Sequence, residues 1–232
     1  MRAPEVWRVD VEAETPRLDE HLARLSAVER ARAGRFHLDA DRARFVVSRG
    51  SLRDLLSGAV GCGAGAIEFA QGPQGKPLLA RHPALHFNTS HSGRWVLHAF
   101  ADVAVGIDVE EIRPGMERLD DFAWVLSLDE RSAVSQAPRP ERAKAMATVW
   151  VRKEAYVKAL GEGLSRSLQK IGIATGPDGR PMLAFDWNPP AAQRRWSFLD
   201  LEMDRDYRAC LVHAGPPRPV SVRSYRRDAP RR

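Results

Sequence analysis

Hydrophobic and polar residues alternate between Val103 and Glu111, and this period of two predicts a β-strand. One face of the strand is apolar and consists of Val103, Val105, Ile107 and Val109. The opposite face consists of Ala104, Gly106, Asp108 and Glu110. The apolar face can anchor the strand to a core. The other face presents two neighbouring carboxylates, beside which we expect the glycine to leave open space.

Two carboxylates at neighbouring positions of one strand face need positive charge between them, because like charges at that spacing repel. A divalent cation held by hard oxygen ligands would supply that charge at Asp108 and Glu110. A solvated strand end with lysine or arginine partners would supply it as well. The strand alone therefore leaves both a metal site and a set of salt bridges open.

Periodicity predicts further strands and helices on both sides of this strand. The predicted strands lie at 7–11, 85–89, 95–100, 171–174, 196–201 and 207–213. The longer predicted helices lie at 27–35, 40–59 and 141–164, with a helix or loop at 119–126. Turn and loop residues separate these segments. The sequence contains no internal repeat, and its core is not of low complexity.

Capping signals predict where several helices begin and end. The capping boxes are formed by Ser26 with Glu29 and by Ser127 with Glu130. Thr15 before Pro16 predicts another helix start, whose apolar face carries Leu18, Leu22 and Leu25. Gly161 and Gly163 are predicted to end the helix that begins at Glu141.

Length and composition limit the classes of protein that the chain can represent. Its 232 residues suffice for one domain or for two of roughly a hundred residues each. A net charge of +6 favours an anionic partner such as phosphate, nucleic acid or an acidic protein. The two cysteines, Cys62 and Cys210, are too few and too far apart for a disulfide framework or a structural zinc site, which fits a reducing cytoplasm.

The hydrophobic pattern shows neither a signal peptide nor a membrane-spanning segment. The first residues lack an apolar core of signal-peptide length, and no run of eighteen apolar residues occurs. We therefore expect a cytoplasmic protein. After Gly215 the chain contains six arginines and four prolines, which predicts a mobile, solvated tail over 215–232.

Two turns carry polar residues that could bind phosphate. The stretch 90–94, SHSGR, is predicted to connect two strands of a hairpin, and its hydroxyl, imidazole and amide groups could bind phosphate oxygens or form an ordinary polar turn. Lys76 lies between Gly75 and Pro77 in a constrained turn. A lysine there could clamp a phosphate or simply be exposed to solvent.

The predicted helix over 141–164 carries a polar stripe. Trp150, Glu154 and Lys158 follow each other at intervals of four, with Lys153 beside Glu154. This pattern is typical both of a surface ion pair and of a ligand-binding helix face, so the helix alone does not decide between them.

Three motifs, in this order and spacing, resemble the 4′-phosphopantetheinyl transferases of the Sfp type. They are FNTSHSG at 87–93, GIDVE at 106–110 and WVRKEAYVKALGEGL at 150–164. The resemblance extends more loosely to 35–56 and to 72–77, so that it covers roughly residues 5 to 165. It implies an α+β fold in which a pseudo-two-fold pair of similar subdomains, at 1–102 and 103–214, encloses the active site in a cleft.

The resemblance also implies the reaction and its components. Such enzymes transfer phosphopantetheine from coenzyme A to a serine of an apo acyl, polyketide or peptidyl carrier protein and release adenosine 3′,5′-bisphosphate. The implied metal is Mg²⁺, with Mn²⁺ as the alternative ion. We expect a monomer that binds neither nucleic acid nor a membrane.

The site residues follow from the matching motif positions. The implied metal ligands are Asp108, Glu110 and Glu154. The implied coenzyme A contacts are Arg44, Lys76, Ser90, His91, Lys153 and Lys158. The implied catalytic residues are Glu154, Lys158 and His91, with Glu154 as the base for the serine hydroxyl, directly or through a water. Arg32 stands where the family often has a basic phosphate contact, whereas Glu29 occupies another such position.

Two rival functions fit parts of the sequence. A Mg²⁺-dependent pyrophosphohydrolase of a nucleotide cofactor would use similar carboxylates to activate water. A nucleic-acid-binding protein would fit the basic charge, but the chain has no zinc finger, RNP motif or helix-turn-helix pattern. The motifs favour the transferase.

Overall fold

The computed structural model describes residues 3–72, 74–162, 166–188 and 195–225. Its α-helices are α1 Val11–Glu14, α2 Leu18–Arg24, α3 Ala27–Ala33, α4 Asp39–Val60, α5 Leu128–Gln136 and α6 Arg142–Leu160. Its strands are β1 Glu5–Asp10, β2 Phe69–Gln71, β3 Pro77–Leu79, β4 His86–Ser92, β5 Trp95–Ala101, β6 Val105–Glu111, β7 Ile171–Thr175, β8 Pro181–Asp186, β9 Trp196–Leu201, β10 Tyr207–Ala214 and β11 Ser221–Ser224. The mixture of long helices and mainly antiparallel strands confirms the predicted α+β class.

The strands form two main sheets. The first has the order β11-β1-β5-β4, and the second has the order β6-β10-β9. Two small sheets pair β2 with β3 and β7 with β8. The pairings within both main sheets are antiparallel except that of β11 with β1, which is parallel. The strands at the facing edges, β4 and β6, belong to different sheets.

Apolar residues form layers between the helices and the sheets. The layer between α4 and the first sheet includes Val47, Leu52, Leu56, Val96 and Phe100. The layer between the two sheets includes Val6, Leu97, Ile107, Val109 and Leu211. The layer between the second sheet and α6 includes Val151, Ala155, Cys210 and Val212. The second sheet therefore faces the first sheet on one side and α6 on the other.

The alternation predicted for the central strand is confirmed. Val105, Ile107 and Val109 have no exposed surface and pack in the layer between the sheets. The residues at the positions between them therefore face α6, because successive side chains of a strand point to opposite faces. The strand begins at Val105, two residues later than predicted.

Local signals set several of the helix boundaries. Both predicted capping boxes are present, at Ser26 with Glu29 and at Ser127 with Glu130. Gly161 ends α6 with a positive φ of 78°, whereas Gly163 lies outside the described residues. The N-cap predicted at Thr15 is wrong, although a short 3₁₀ helix, Thr15–Arg17, begins there. Asp10 caps the helical segment five residues earlier by accepting hydrogen bonds from two backbone amides.

The end of the described chain returns to the first sheet. Strand β11 extends that sheet by pairing with β1, and Tyr225 packs against the layer under α4 with 6% of its surface exposed. Its hydroxyl donates a hydrogen bond to the Asp54 carboxylate at 2.9 Å. The prediction of a mobile tail is therefore wrong for 221–225, although 222–224 are exposed to solvent, while 226–232 lie outside the described residues.

Within the described ranges, no helix combines the length and the apolar character that crossing a membrane requires.

Candidate active site

The site begins where β6 touches α6. A β-carbon added to Gly106 would lie 2.1 Å from the Ala155 carbonyl oxygen and 2.3 Å from the Ala159 amide nitrogen. The glycine therefore allows the helix backbone to approach the strand directly. The expected open space beside the carboxylates is wrong, because α6 fills it. This approach brings the polar face of β6 against the Glu154 and Lys158 stripe of α6.

Asp108 lies at the centre of the resulting polar cluster. Lys158 contacts its Oδ1 through Nζ at 2.5 Å, and the Ser90 hydroxyl donates to the same oxygen at 2.7 Å. The Lys158 Nζ also donates to the Ser90 oxygen at 3.1 Å. Three residues from β4, β6 and α6 thus form one hydrogen-bonded triangle, in which Asp108 is almost fully buried.

Two carboxylate oxygens beside this triangle have no partner. Asp108 Oδ2 and Glu154 Oε1 are the two buried carboxylate oxygens without a hydrogen-bond partner in the described part of the chain. Burial, followed by the negative charge of Asp108, raises the pKa of Glu154. Burial also raises the pKa of Glu110, and the charge of Asp108 adds to that rise. Asp108, Glu110 and Glu154 therefore form one electrostatically linked group of acids.

These acids fit a hard divalent cation by their chemistry. Carboxylate oxygens are the preferred ligands of Mg²⁺, and a buried oxygen without a partner is costly unless a cation or donor satisfies it. No three His, Cys, Asp or Glu side chains in the described ranges are grouped closely enough to form a preformed metal site. The Lys158 ammonium supplies the positive charge next to Asp108 in this structure.

His91 lies on the other face of β4 from Ser90. The strand continues through Ser92, so the hairpin connection consists of Gly93 and Arg94 alone. The predicted connection over 90–94 is wrong at its first three positions, which alternate as strand residues. Desolvation and the positive charges of Arg44 and Lys158 lower the pKa of His91, although its side chain reaches the surface.

Arg44 joins this region from α4. Its Nε donates to the Gly93 carbonyl oxygen at 3.0 Å, and its Nη1 contacts Asp41 at 2.8 Å. The structure thus brings Arg44 and His91 together beside the turn, one strand away from the acids. This arrangement is consistent with an anion-binding edge on the predicted site.

Lys76 bridges the two halves of the chain. Its Nζ donates to the carbonyl oxygens of Val105 and Lys158, at 2.8 and 2.7 Å. Burial lowers the pKa of Lys76 to about 8. An ammonium has three donors, so two of them are used to join the turn before β3 to the start of β6 and the end of α6. One Nζ donor of Lys76 remains for the phosphate contact that the sequence predicted.

Lys153 has a different role from the one the resemblance implies. Its side chain has no exposed surface, and its Nζ contacts Glu130 at 2.5 Å and the carbonyl oxygens of Val125 and Leu168. These three contacts use all of its donors. Lys153 therefore anchors α5 and neighbouring loops to α6, and this geometry argues against a contact with coenzyme A.

The positions near the predicted outer phosphate contact also have structural partners. Glu29 forms ion pairs with Arg49 and Arg53, both at 2.6 Å. Arg32 is exposed, and its guanidinium carbon lies 5.1 Å from the centre of the Phe45 ring. The acid at position 29 thus balances two arginines of α4, whereas Arg32 stays accessible from solvent.

Sequence reasoning missed Asn88 as a residue of the site, and it considered Ser92 only as part of a turn that could bind phosphate. Asn88 Oδ1 accepts a hydrogen bond from the Ile107 amide at 2.8 Å, and Ser92 Oγ accepts one from the Glu111 amide at 3.1 Å. Asn88, Ser90 and Ser92 are spaced two residues apart, which places them on one face of a strand. This spacing could have revealed them if the predicted strand had extended to Ser92.

Comparison with known proteins identifies relatives along nearly the whole chain. Residues 104–212 match the family described as the 4′-phosphopantetheinyl transferase superfamily, and residues 12–102 match the family described as 4′-phosphopantetheinyl transferase, N-terminal. The 4′-phosphopantetheinyl transferase HetI of Nostoc sp. is 34% identical over 215 residues, which are 90% of this chain and 87% of HetI. The 4′-phosphopantetheinyl transferase Sfp of Bacillus subtilis is 28% identical over 210 residues, which are 89% of this chain and 91% of Sfp.

Among solved structures, a holo-(acyl-carrier-protein) synthase from Bacillus anthracis is similar to part of the chain. The match has 23% sequence identity and a TM-score of 0.41, and it covers 48% of this chain and 95% of the synthase. The family matches and the extent of similarity to HetI determine the classification. The chain belongs to the 4′-phosphopantetheinyl transferase superfamily and is of the Sfp type.

Proposed function

We propose that this protein transfers the 4′-phosphopantetheine group of coenzyme A to a serine of an apo acyl, polyketide or peptidyl carrier protein. The observation that carries the proposal is the meeting of Asp108 and Glu154, each with a buried unpartnered oxygen, beside Lys158. Membership of the superfamily supports the same reaction. The second product is adenosine 3′,5′-bisphosphate.

Asp108, Glu110 and Glu154 would hold a Mg²⁺ ion, with Mn²⁺ as the alternative. The bound ion would neutralise the pyrophosphate oxygens of coenzyme A and so reduce the charge that repels the attacking hydroxyl. Lys158 adds a positive charge next to these acids. His91 and Arg44 add donors at the edge of β4, where they can bind the phosphates on the nucleotide side.

The reaction also needs a group that removes a proton. The serine oxygen of the carrier forms a bond to the β-phosphorus, the phosphoanhydride bond to the α-phosphate breaks, and the hydroxyl proton must leave. Glu154 can accept that proton directly or through a water, since its carboxylate lies beside Asp108 and Lys158 at the site.

The two halves of the chain share the site. Ser90 and His91 come from the half that ends near 102, whereas Asp108, Glu154 and Lys158 come from the half over 103–214. Each half packs one long helix, α4 or α6, against a mainly antiparallel sheet. This similarity supports a pseudo-two-fold pair of subdomains with the active site between them. A single chain then carries all the proposed groups, so a monomer would suffice for the reaction and no nucleic acid would take part in it.

The test is intact-mass analysis of an apo carrier protein incubated with this protein, coenzyme A and Mg²⁺. We expect the carrier to gain one phosphopantetheine. Asp108→Ala should remove both the Mg²⁺-dependent part of coenzyme A binding and the transfer. Glu154→Gln should retain much of the binding while transfer falls by about 10²- to 10⁴-fold, as is typical when a general base is lost.

The control is Glu141→Gln, which changes an exposed acid at the opposite end of α6 and should transfer at the parent rate. An unmodified carrier together with hydrolysed coenzyme A would contradict the transferase and support the pyrophosphohydrolase. Near-parental transfer by Glu154→Gln would exclude Glu154 as the base.

A further inference from the structure

One buried histidine joins helix α4 to the first sheet, and the proposed mechanism does not use it. His98 of β5 has no exposed surface and lies in the layer between that sheet and α4, where Val96 and Phe100 of the same strand also pack. Its Nε2 is 2.9 Å from Ser51 Oγ, and its Nδ1 is 2.8 Å from Thr89 Oγ1. We call Ser51, His98 and Thr89 the His98 bridge. It connects three elements, because Ser51 belongs to α4 and Thr89 to β4.

The hydrogen bonds of the His98 bridge run in one direction. The Ser51 hydroxyl donates to the Val47 carbonyl oxygen at 2.6 Å, so its oxygen accepts the proton of His98 Nε2. Nδ1 is then without a proton and accepts from the Thr89 hydroxyl. Both ring nitrogens are therefore satisfied by the neutral ring. Hydrogen bonds of this kind hold a helix at one place on a sheet, whereas the apolar contacts of the layer are non-directional.

Helix α4 meets the sheet at a second polar contact, which Arg44 makes. Its Nε donates to the carbonyl oxygen of Gly93, in the turn that follows β4. Arg44 and Ser51 are two helical turns apart, so they lie on one face of α4 at a separation of about 10 Å. On the sheet side, Thr89 and Gly93 are separated by about 13 Å of extended chain. Two attachments at this separation fix both the position and the rotation of α4 over the β4 hairpin.

His91 lies between the two attachments. It follows Thr89 by two residues and precedes Gly93 by two, and it faces the same side of β4 as Thr89. Within the described residues Arg44 uses Nε for Gly93 and Nη1 for Asp41, so its Nη2 keeps its donors. An anion beside His91 would therefore meet donors from both β4 and α4. Whether both reach it depends on where the helix lies over the strand.

We propose that the His98 bridge positions Arg44 of α4 beside His91 of β4, so that the two side chains bind one phosphate-bearing ligand together. His98 is a positioning residue, because its buried ring acts only through the helix and the strand that it joins. Loss of the bridge should therefore weaken ligand binding without touching the reacting atoms. The proposal rests on the proposed function in one respect, namely that Arg44 and His91 bind phosphates of coenzyme A.

Thr89 offers a matched pair of variants. Thr89→Val replaces the hydroxyl by a methyl group and removes the bond to His98, whereas Thr89→Ser keeps the hydroxyl. Leu56→Ala is the control for general damage to the layer under α4. Leu56 has no exposed surface and packs in that layer, but it takes no part in the bridge. Because its truncation removes a large buried side chain, Leu56→Ala should lose more stability than Thr89→Val and still retain the positioning of Arg44.

The first measurement is calorimetric titration of the full chain with adenosine 3′,5′-bisphosphate, without divalent ions or a carrier protein. Thr89→Val should bind it about 10-fold more weakly, the loss expected for one misplaced hydrogen bond to a charged group. Thr89→Ser and Leu56→Ala should bind it almost as the parent does. In the carrier-modification assay, Thr89→Val should raise the KM for coenzyme A and leave kcat nearly unchanged, because the bridge serves binding and not the chemical step.

A double-mutant cycle with Arg44→Gln tests whether the bridge acts through Arg44. Thr89→Val should weaken binding of adenosine 3′,5′-bisphosphate about 10-fold in the parent but hardly at all in Arg44→Gln, because the contact that the bridge positions is then already lost. Equal losses in the two backgrounds would show that Thr89 acts independently of Arg44 and would overturn the proposal.

Thermal melting shows which variants fold. If Thr89→Val does not fold, Ser51→Ala removes the other end of the bridge and carries the same cycle. Parental binding by a folded Thr89→Val would overturn the proposal. A loss of binding in Leu56→Ala as large as that in Thr89→Val would also overturn it, because any damage to the layer would then have the same effect.

The proposal and the proposed function can fail separately. A parent chain that modifies carriers, with an Arg44→Gln variant that binds adenosine 3′,5′-bisphosphate as tightly as the parent, would overturn the positioning role and leave the transfer intact. A parent chain that binds adenosine 3′,5′-bisphosphate but modifies no carrier would overturn the transfer, and the same cycle would still decide the role of the His98 bridge.

Discussion

At the scale of single residues, three lysines show how neighbours decide the role of a side chain. Lys158 contacts an acid that still has a free oxygen, so it remains part of a reactive cluster. Lys153, five residues earlier on α6, uses all three donors inside the core. Lys76 spends two donors on carbonyl oxygens and so joins the halves of the chain. A lysine side chain can therefore belong to the site, stabilise the core or join two segments, depending on its hydrogen-bond partners.

His98 gives a pH prediction at this scale. It has no exposed surface, and burial, followed by the charge of Arg49, lowers its pKa from 6.5 to about 3. The Ser51 hydroxyl donates to the Val47 carbonyl, so its oxygen accepts from His98 Nε2 while Thr89 donates to Nδ1. The ring is neutral in this network, and a second proton would disrupt it.

Below pH 6.5 the unfolded chain binds a proton at His98 that the folded chain refuses until about pH 3. The free energy of unfolding should therefore be unaffected by this group above pH 6.5 and should fall by about 1.4 kcal/mol per pH unit between the two values. Urea denaturation at pH 7 and pH 4 should show a loss about 3 kcal/mol larger in the parent than in His98→Gln. Equal losses in the two proteins would contradict the assignment.

At the scale of secondary structure, the contact between β6 and α6 decides whether the acids meet. A β-carbon at position 106 would collide with the backbone of Ala155 and Ala159. A backbone contact cannot be relieved by turning a side chain, so a larger residue must push the helix away from the strand. Such a shift would separate Glu154 from Asp108.

Gly106→Ala should therefore lower the free energy of unfolding by about 3 kcal/mol and abolish most of the transfer. The matched control is Gly63→Ala, because a β-carbon at Gly63 meets no atom within 4 Å and its backbone φ of −67° suits any residue. We expect the control to change stability by less than about 1 kcal/mol. Urea denaturation and the carrier-modification assay measure the two effects. If Gly106→Ala were as stable as the parent, α6 could move away from β6 without lowering the free energy of unfolding, and the prediction would be wrong.

At the scale of the whole molecule, the chain closes on itself. Its first described strand, β1, lies between β5 and β11, so residues from near both ends share one sheet. Tyr225 adds a buried ring to the layer under α4 and bonds Asp54 on that helix. The half over 1–102 therefore depends on residues that follow the second half.

Removal of residues 221–232 should destabilise the protein by at least about 3 kcal/mol, because it deletes a buried aromatic ring and leaves the edge of β1 unpaired. A chain that ends at Tyr225 is the control, since it keeps every contact described above and should melt with the full chain. Urea denaturation of the two truncated chains measures the difference. Equal stability of both would show that the parallel pairing of β11 contributes nothing.

Local patterns were sufficient wherever neighbours along the chain set the structure. Alternation of Val105, Ile107 and Val109 predicted a strand with a buried face, because the side-chain period of a strand is fixed by its backbone. The capping boxes at Ser26 and Ser127 were predictable because their hydrogen bonds span only three residues. The motif residues also sufficed to recognise the family.

The remaining features depend on contacts between residues that lie far apart in the chain. Periodicity could not show that Gly106 lies under α6, that Lys153 is used up in the core, or that β11 pairs with β1, since each contact joins distant segments. The hydrogen bonds that Ser90 and Ser92 accept from amides of β6 also join segments that lie far apart in the chain. Patterns along the chain were thus enough to recognise the family, the main elements and the acids. Long-range contacts determine which polar groups are already hydrogen-bonded and which remain available for chemistry.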